Sequence, residues 1–131
     1  MNLDLLPVSD ISTLTLPKRF PEALQEALTK IDAHHKEMGL VYVCLFGSAA
    51  RGEAEFGSDL DLLLLTNSES EKEVRLKVLE YEIGDDTSYV PVQVTVRRLC
   101  RFLDPESDVC GFNASIAPDL IVLRRYDDDS L

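Results

Sequence analysis

The chain has 131 residues, a length that suits one domain with a single core. Its apolar content of 45% and charged content of 28% are ordinary for a globular protein, and no apolar run is long enough to span a bilayer. The formal net charge of −11 argues against direct binding to a nucleic-acid backbone, which requires a basic face. Three cysteines without a CxxC spacing, and an N-terminus without a secretory pattern, favour a cytoplasmic protein with reduced thiols.

The first half of the chain predicts an arm, a helix and a strand. Residues 1–19 have no sustained apolar period and are interpreted as an N-terminal arm or a short edge strand. Pro21 then opens a helix that we expect to extend to about Met38, because apolar residues recur at helical spacing and Gly39 is a natural terminator. The run from Leu40 to Phe46 is almost continuously apolar, as is typical of a strand covered on both faces.

The second half of the chain alternates between extended and helical patterns. Its expected elements are a strand over 60–65, a helix over 69–81, a strand over 89–96, helices over 99–103 and 109–116 separated at Pro105, and a strand over 120–123. Pro91 favours an edge position for the strand over 89–96. This order of elements indicates an α/β or α+β fold with helices packed on a sheet.

These elements predict one domain at residues 20–125, preceded by the arm at 1–19. Residues 126–131, YDDDSL, form a polar, acidic tail that we expect to be solvated. Neither an internal repeat nor a low-complexity segment interrupts the domain.

Two acidic residues mark the start of the second strand. Asp59 and Asp61 are two positions apart, so strand alternation directs both side chains to one face with their Cα atoms roughly 6.6 Å apart. Carboxylates at that separation can converge on divalent ions, and Mg²⁺ prefers such hard oxygen ligands. The pair therefore predicts a metal site, the alternative being two solvated acids at a strand start.

The turn after the first strand has the features of a phosphate-binding turn. Gly47 lets the backbone approach an anion without a Cβ in the way, and Ser48 adds a hydroxyl. The short helix expected from Ser48 to about Gly52 directs its first N–H groups at the same anion. Arg51 could reach phosphate oxygens, or it could be an ordinary solvent-exposed arginine. Together with the two aspartates, this turn predicts a site for Mg²⁺ and a nucleoside triphosphate.

The stretch GSAARGEAEFGSDLDLLLL, residues 47–65, resembles the signature of the polymerase-β-like nucleotidyltransferase superfamily, in which ten residues separate Gly-Ser from Asp-x-Asp. It is most similar to the minimal nucleotidyltransferase (MNT) family, whose members often read Gly-Ser-x-Ala-Arg-Gly and then Ser-Asp-x-Asp-Leu. The matching positions are Gly47, Ser48, Ala50, Arg51, Gly52, Ser58, Asp59, Asp61 and Leu62.

The resemblance implies a mixed β-sheet flanked by helices, with the site at one end of the paired strands. It implies Mg²⁺ as cofactor, a nucleoside triphosphate such as ATP as substrate, and an acceptor hydroxyl. In the MNT family the acceptor often belongs to a small helical HEPN-type partner in a toxin–antitoxin pair. The residues that would carry these roles are Asp59 and Asp61 for the metal, and Gly47, Ser48, Arg51 and Ser58 for the nucleotide.

One expected catalytic position departs from the family pattern. The superfamily places a third carboxylate on a later strand, where it ligates the catalytic metal and helps to deprotonate the acceptor. Element order and alternation put Gln93 at that position, and an amide can offer an oxygen to a metal but cannot act as a base. Glu82, Asp85 and Asp86 lie nearby in a predicted turn and are alternative acids.

Two hypotheses follow from this departure, and a third is less favoured. The chain is an active transferase whose missing base comes from a partner, the substrate or water, or it is a catalytically impaired nucleotide-binding module that binds a helical partner. An aminoglycoside-type transferase is disfavoured, because such enzymes usually carry an additional helical domain for which 131 residues leave no room.

Overall fold

The computed structural model describes residues 3–84, 90–108 and 111–126. In chain order its helices and strands are α1 (Phe20–His34), β1 (Leu40–Phe46), α2 (Gly47–Ala50), β2 (Leu60–Thr66), α3 (Glu71–Glu80), β3 (Val92–Arg98), α4 (Leu99–Phe102), α5 (Phe112–Ile116) and β4 (Ile121–Arg125). Short 3₁₀ turns lie at Leu3–Leu5, Ile11–Thr13, Pro105–Ser107 and Ala117–Asp119. Within the described residues, no helix has the length and apolar character needed to cross a membrane.

The strands form one mixed sheet in the order β3-β2-β1-β4. β1 is antiparallel to both β2 and β4, whereas β2 and β3 are parallel. A mixed sheet flanked by helices was the predicted architecture, and it is confirmed. β3 is an edge strand of this sheet, as Pro91 indicated.

One face of the sheet, which we call the α1 face, is covered by α1 and α3. Strand alternation directs Leu60, Leu62 and Leu64 of β2 to this face, and all three are fully buried. The residues that α1 buries recur at helical spacing: Phe20, Ala23, Leu24, Ala27, Leu28 and Ile31. α3 adds Val74 and Val78, so two amphipathic helices close the larger part of the core.

The opposite face, which we call the α5 face, has a smaller core under α4, α5 and the turn at Leu3–Leu5. Its buried residues include Tyr42, Cys44, Leu63, Leu65, Phe102, Ile116 and Val122. By alternation, Asp61 on β2 and Gln93 on β3 point to this same face. The predicted site therefore lies on the face with the thinner helical cover.

α1 ends four residues earlier than predicted, at His34 rather than about Met38. The chain continues in turns to Gly39, whose φ of +62° is a left-handed conformation that favours glycine. Met38 is nonetheless fully buried. Met38 fits the apolar spacing of α1 because it is buried in the same core, although it lies outside the helix. The helix ends before Met38 because the chain must reverse direction to enter β1.

The other elements agree with the predicted ones to within a few residues. β1 has the predicted bounds, and α2 begins one residue early, at Gly47. The helix expected over 109–116 is the shorter α5, with residues 109–110 outside the described part of the chain. The break at Pro105 is a 3₁₀ turn.

Both ends of the described chain contact the sheet. The Ser9 N–H donates to the Val122 carbonyl at 2.8 Å, which attaches the N-terminal arm beside β4. Tyr126, the first residue of the expected tail, donates its N–H to the Val41 carbonyl and stacks its ring on His35. The remaining tail residues, 127–131, lie outside the described part of the chain.

Candidate active site

The two predicted metal-binding aspartates lie together at one end of the sheet. Asp59 immediately precedes β2, and Asp61 is the second residue of that strand. In the strand register Asp61 lies opposite Phe46 of β1 on one side and Gln93 of β3 on the other. Because Phe46 is the last residue of β1, the register places the turn that follows it beside the Asp61 carboxylate.

Gly47 forms that turn in direct contact with Asp61. Its φ of +78° lies in the left-handed region, and a Cβ built at this position would be 2.4 Å from Oδ2 of Asp61. Both the backbone conformation and the close approach therefore require glycine here. The Gly-Ser turn and the Asp-x-Asp strand, which are ten residues apart in sequence, share one recess.

The acids of this recess interact electrostatically. The pKa of the Asp61 carboxyl is raised above its ordinary value, first because burial disfavours the charged form and second because the Asp59 carboxylate repels it. The positive charge of Arg51 acts in the opposite direction. A bound cation would relieve the repulsion between the two acids, so their chemistry and position fit a divalent metal ion.

Gln93 lies at this pair of acids. Its Nε2 donates a hydrogen bond to Oδ2 of Asp59 at 2.9 Å, and its side chain is exposed. Rotation of the amide would turn Oε1 towards the same space, where it could serve as a neutral metal ligand. Within the described residues no cluster of three or more His, Cys, Asp or Glu side chains is arranged to hold a metal.

Of the three alternative acids, Glu82, Asp85 and Asp86, the structure describes Glu82 alone. Glu82 has a φ of +55°, and its carbonyl accepts a hydrogen bond from Lys30 Nζ at 3.0 Å. This contact ties the turn after α3 to α1. Asp85 and Asp86 lie outside the described residues.

The other predicted nucleotide-binding residues shape the rim of the recess. Arg51 donates to Oε1 of Glu53 at 2.7 Å, and its Nη1 lies 3.6 Å from Oδ2 of Asp119. The Ser58 hydroxyl accepts the N–H of Glu55 at 3.0 Å. Arg51 is thus held by two acids, and the bonds of Ser58 close the turn that leads into Asp59.

Two contacts of this region were not predicted from the motif over residues 47–65. Asp119 reaches Arg51 from the 3₁₀ turn after α5. Phe112 of α5 packs edge-on against Phe46 with ring centroids 5.7 Å apart, so α5 covers the strand end beside the recess. Both contacts depend on how the C-terminal segment folds back, which the local spacing around Gly47 does not encode.

Similarity to known proteins extends over most of the chain. Residues 16–114 match the family model described as "Nucleotidyltransferase domain". None of the curated proteins compared with the chain matches it. Among solved structures, one described as a "putative nucleotidyltransferase from Sulfolobus solfataricus" is similar with a TM-score of 0.46 and 18% identity, covering 86% of this chain and 93% of that chain. The family match spans most of the chain and includes the recess, and the chain therefore belongs to the polymerase-β-like nucleotidyltransferase domain family.

Proposed function

We propose that this chain is a Mg²⁺-dependent transferase that moves a nucleoside monophosphate from a nucleoside triphosphate, with ATP as the first candidate, to an acceptor hydroxyl. The observation that carries the proposal is the contact of the Asp61 carboxylate with Gly47, with Asp59 alongside. This contact puts two candidate metal ligands and a candidate phosphate-binding turn in the same recess. In the reaction the acceptor oxygen bonds to the α-phosphorus, and the bond between that phosphorus and the pyrophosphate oxygen breaks.

Each residue of the recess has a role in this proposal. Mg²⁺ held by Asp59 and Asp61 would neutralise charge that develops on the phosphate oxygens. Gly47 and Ser48 orient the triphosphate through backbone N–H groups and a hydroxyl. Arg51 would supply positive charge beside it by exchanging its contacts with Glu53 and Asp119 for the phosphate oxygens. Ser58 acts by position, since its bonds to Glu55 hold the turn before Asp59.

The metal assignment is tested by neutralising each aspartate. Asp59→Asn and Asp61→Asn should each weaken Mg²⁺-dependent ATP binding by about tenfold or more, because each removes a charged ligand. Calorimetric titrations with and without Mg²⁺ measure this change. Glu22→Gln is a matched control, since Glu22 is an exposed acid on α1. Unchanged ATP affinity in both aspartate variants would show that the metal assignment is wrong.

A second candidate function is a catalytically impaired nucleotide-binding module, and the hydrogen bond from Gln93 to Asp59 favours it. An amide at this position cannot accept the proton of the acceptor hydroxyl. Gln93→Asp should therefore raise the rate of nucleotidyl transfer by about 10²-fold or more, the usual contribution of a general base. Thr95→Asp, two positions further along the same face of β3, is the control. An unchanged or lower rate in Gln93→Asp would place the missing acid elsewhere.

The acceptor remains part of the proposal. The resemblance of residues 47–65 to the MNT signature implies an acceptor on a small helical HEPN-type partner, and we include that acceptor in the proposal. We place this activity in the cytoplasm, in line with the free thiols of Cys44 and Cys100. Incubation with labelled ATP, Mg²⁺ and such a partner separates the two candidates: incorporation of AMP supports transfer, and binding without incorporation supports the module.

A further inference from the structure

A cavity of about 270 Å³ lies on the α5 face, beyond Gln93 along β3. The side chains that line it include Arg97, Arg101, Phe102, Phe112 and Asn113. Gln93, Thr95 and Arg97 alternate onto one face of β3, and the Cα atoms of Gln93 and Arg97 are ~13 Å apart at about 3.3 Å per residue. The cavity thus shares a sheet face with the carboxylate recess and lies within the reach of one extended ligand.

The two arginines of the cavity, Arg97 and Arg101, form no ion pair with an acid in the described part of the chain. Arg97 donates to the Val96 carbonyl at 2.9 Å, and its guanidinium lies 5.1 Å from the centroid of the Phe112 ring. Four arginines elsewhere in the chain do form such pairs: Arg51, Arg75, Arg124 and Arg125. In a chain of net charge −11, two guanidinium groups that line one cavity without an ion pair to a described carboxylate indicate a site for an anion.

The acids that line the cavity are engaged in other contacts. Glu71 accepts the backbone N–H of Arg98 at 2.8 Å and lies 3.7 Å from Arg75. Asp108 accepts the N–H of Asn113 at 3.0 Å, at the start of α5. Both carboxylates therefore stabilise the walls of the cavity, and these contacts are with groups other than the Arg97 and Arg101 guanidinium groups.

We propose that this cavity binds a phosphate group carried by the acceptor, whose hydroxyl reacts at the carboxylate recess. Guanidinium groups match phosphate oxygens with paired N–H donors, which favours a phosphate-class anion. Phe102 and Phe112 offer contact to an apolar or aromatic body attached to that phosphate. Gly47 lies on the β1 side of Asp61 and Arg97 on the β3 side, so the cavity is across the carboxylates from the proposed triphosphate turn. The identity of the bound group as acceptor rests on the proposed function, whereas the phosphate site itself does not.

Phenyl phosphate and inorganic phosphate, titrated into the intact chain at constant ionic strength, test the site. NMR of the arginine side-chain N–H groups should show both probes shifting Arg97 and Arg101, with phenyl phosphate binding more tightly because of the aromatic lining. Arg101→Gln should weaken phenyl phosphate binding by about tenfold, and Arg97→Gln by a similar factor. Lys18→Gln removes one positive charge at an exposed position outside the cavity and should change the affinity for phenyl phosphate by less than about twofold. Absence of binding, or equal affinities in all variants, would overturn the proposal.

Titration with Mg²⁺ and ATP distinguishes an acceptor phosphate from the phosphates of the nucleotide. Arg101→Gln should leave ATP affinity within about twofold of the original, because the triphosphate is assigned to the opposite side of Asp61. A loss of about tenfold would assign the cavity to the nucleotide and overturn the acceptor proposal. Asp61→Asn should lose ATP binding and keep phenyl phosphate binding. Retained ATP binding in Asp61→Asn would contradict the proposed function and would leave the phosphate site intact.

Discussion

The two faces of the sheet are built from the same strands but differ in what covers them. The α1 face lies under helices of 15 and 10 residues, whereas the α5 face lies under helices of four and five residues joined by turns. On β2 the fully buried Leu60 and Leu62 alternate with the partly buried Asp61. The thicker cover excludes water from one face, and the thinner cover leaves room for polar side chains on the other.

This division also protects the register of the site. Because strand side chains alternate, a slip of β2 by one residue would bring Asp61 into the apolar core under α1 and move Leu60 and Leu62 to the α5 face. The packing of Leu62 and Leu64 under α1 therefore determines which face the acids occupy. The packing of the α1 face thus determines where the acids lie on the α5 face.

The largest effect that distinguishes the two faces is expected for core truncations. Leu28→Ala, on α1 and fully buried, should lower the free energy of unfolding by about 2–5 kcal/mol. Ile116→Ala, on α5 and 8% exposed, should cost about 2 kcal/mol or less, because the short segment around it can collapse onto the space. Urea unfolding followed by circular dichroism measures both values. Equal losses would mean that the α5 face contributes as much to stability as the α1 face.

A smaller loss of stability, with a large loss of binding, is expected at the junction of the two motifs. Gly47→Ala places a Cβ 2.4 Å from Oδ2 of Asp61 and strains a left-handed backbone, which should cost about 1–3 kcal/mol and displace the carboxylate. Calorimetry should then show the loss of Mg²⁺-dependent ATP binding.

Gly52→Ala is the matched control for this change. Gly52 has nearly the same φ, +72°, but a Cβ there meets no atom within 4 Å. It should cost about 1 kcal/mol of strain and leave ATP binding intact. Equal binding losses in the two variants would attribute the effect to backbone strain and not to contact with Asp61.

The sequence predicted the parts of the site that depend on local spacing. Strand alternation was enough to put Asp59 and Asp61 on one face, and the parallel pairing of β2 with β3 then set Gln93 opposite Asp61. The edge position of β3 followed from Pro91, a residue that cannot donate to a neighbouring strand. The alternation and the edge signal are encoded within single strands, whereas the pairing of β2 with β3 joins distant segments and was not predicted.

Other features could not be predicted, because they depend on distant segments. The predicted helix extended to Met38 because this buried residue fits the apolar spacing of α1, but the helix itself ends at His34. The cavity needs α4 and α5 to fold over the far end of β3, and nothing near Arg97 or Arg101 in sequence indicates that neither forms an ion pair with a described carboxylate. Alternation alone did place Arg97 on the same face as Gln93, which is the one local signal of the cavity.

The smallest expected effect concerns how well α4 and α5 shield the α5 face of the sheet from solvent. Cys44 is fully buried on the α5 face, and burial raises the pKa of its thiol from 9.0 to about 12, whereas Cys100 at α4 is exposed. Because the thiolate is the reactive form, iodoacetamide at pH 8 should modify Cys100 quickly and Cys44 only after unfolding. Mass spectrometry that resolves each cysteine measures both rates, with a urea-unfolded sample as the control.

Ionisation of the buried Cys44 thiol on the α5 face also affects the stability of the fold at high pH. Between pH 9.0 and about 12 the unfolded thiol ionises while the folded one stays protonated, so the contribution of Cys44 is present below pH 9.0 and lost as the pH approaches 12. Cys44→Ala should reduce the decline in unfolding free energy across that range. If Cys44 is instead alkylated at pH 8 as fast as Cys100, the α5 face opens without global unfolding. Its short helices would then be a mobile cover over the strands that carry the acids, and the difference between the faces would be one of dynamics as well as thickness.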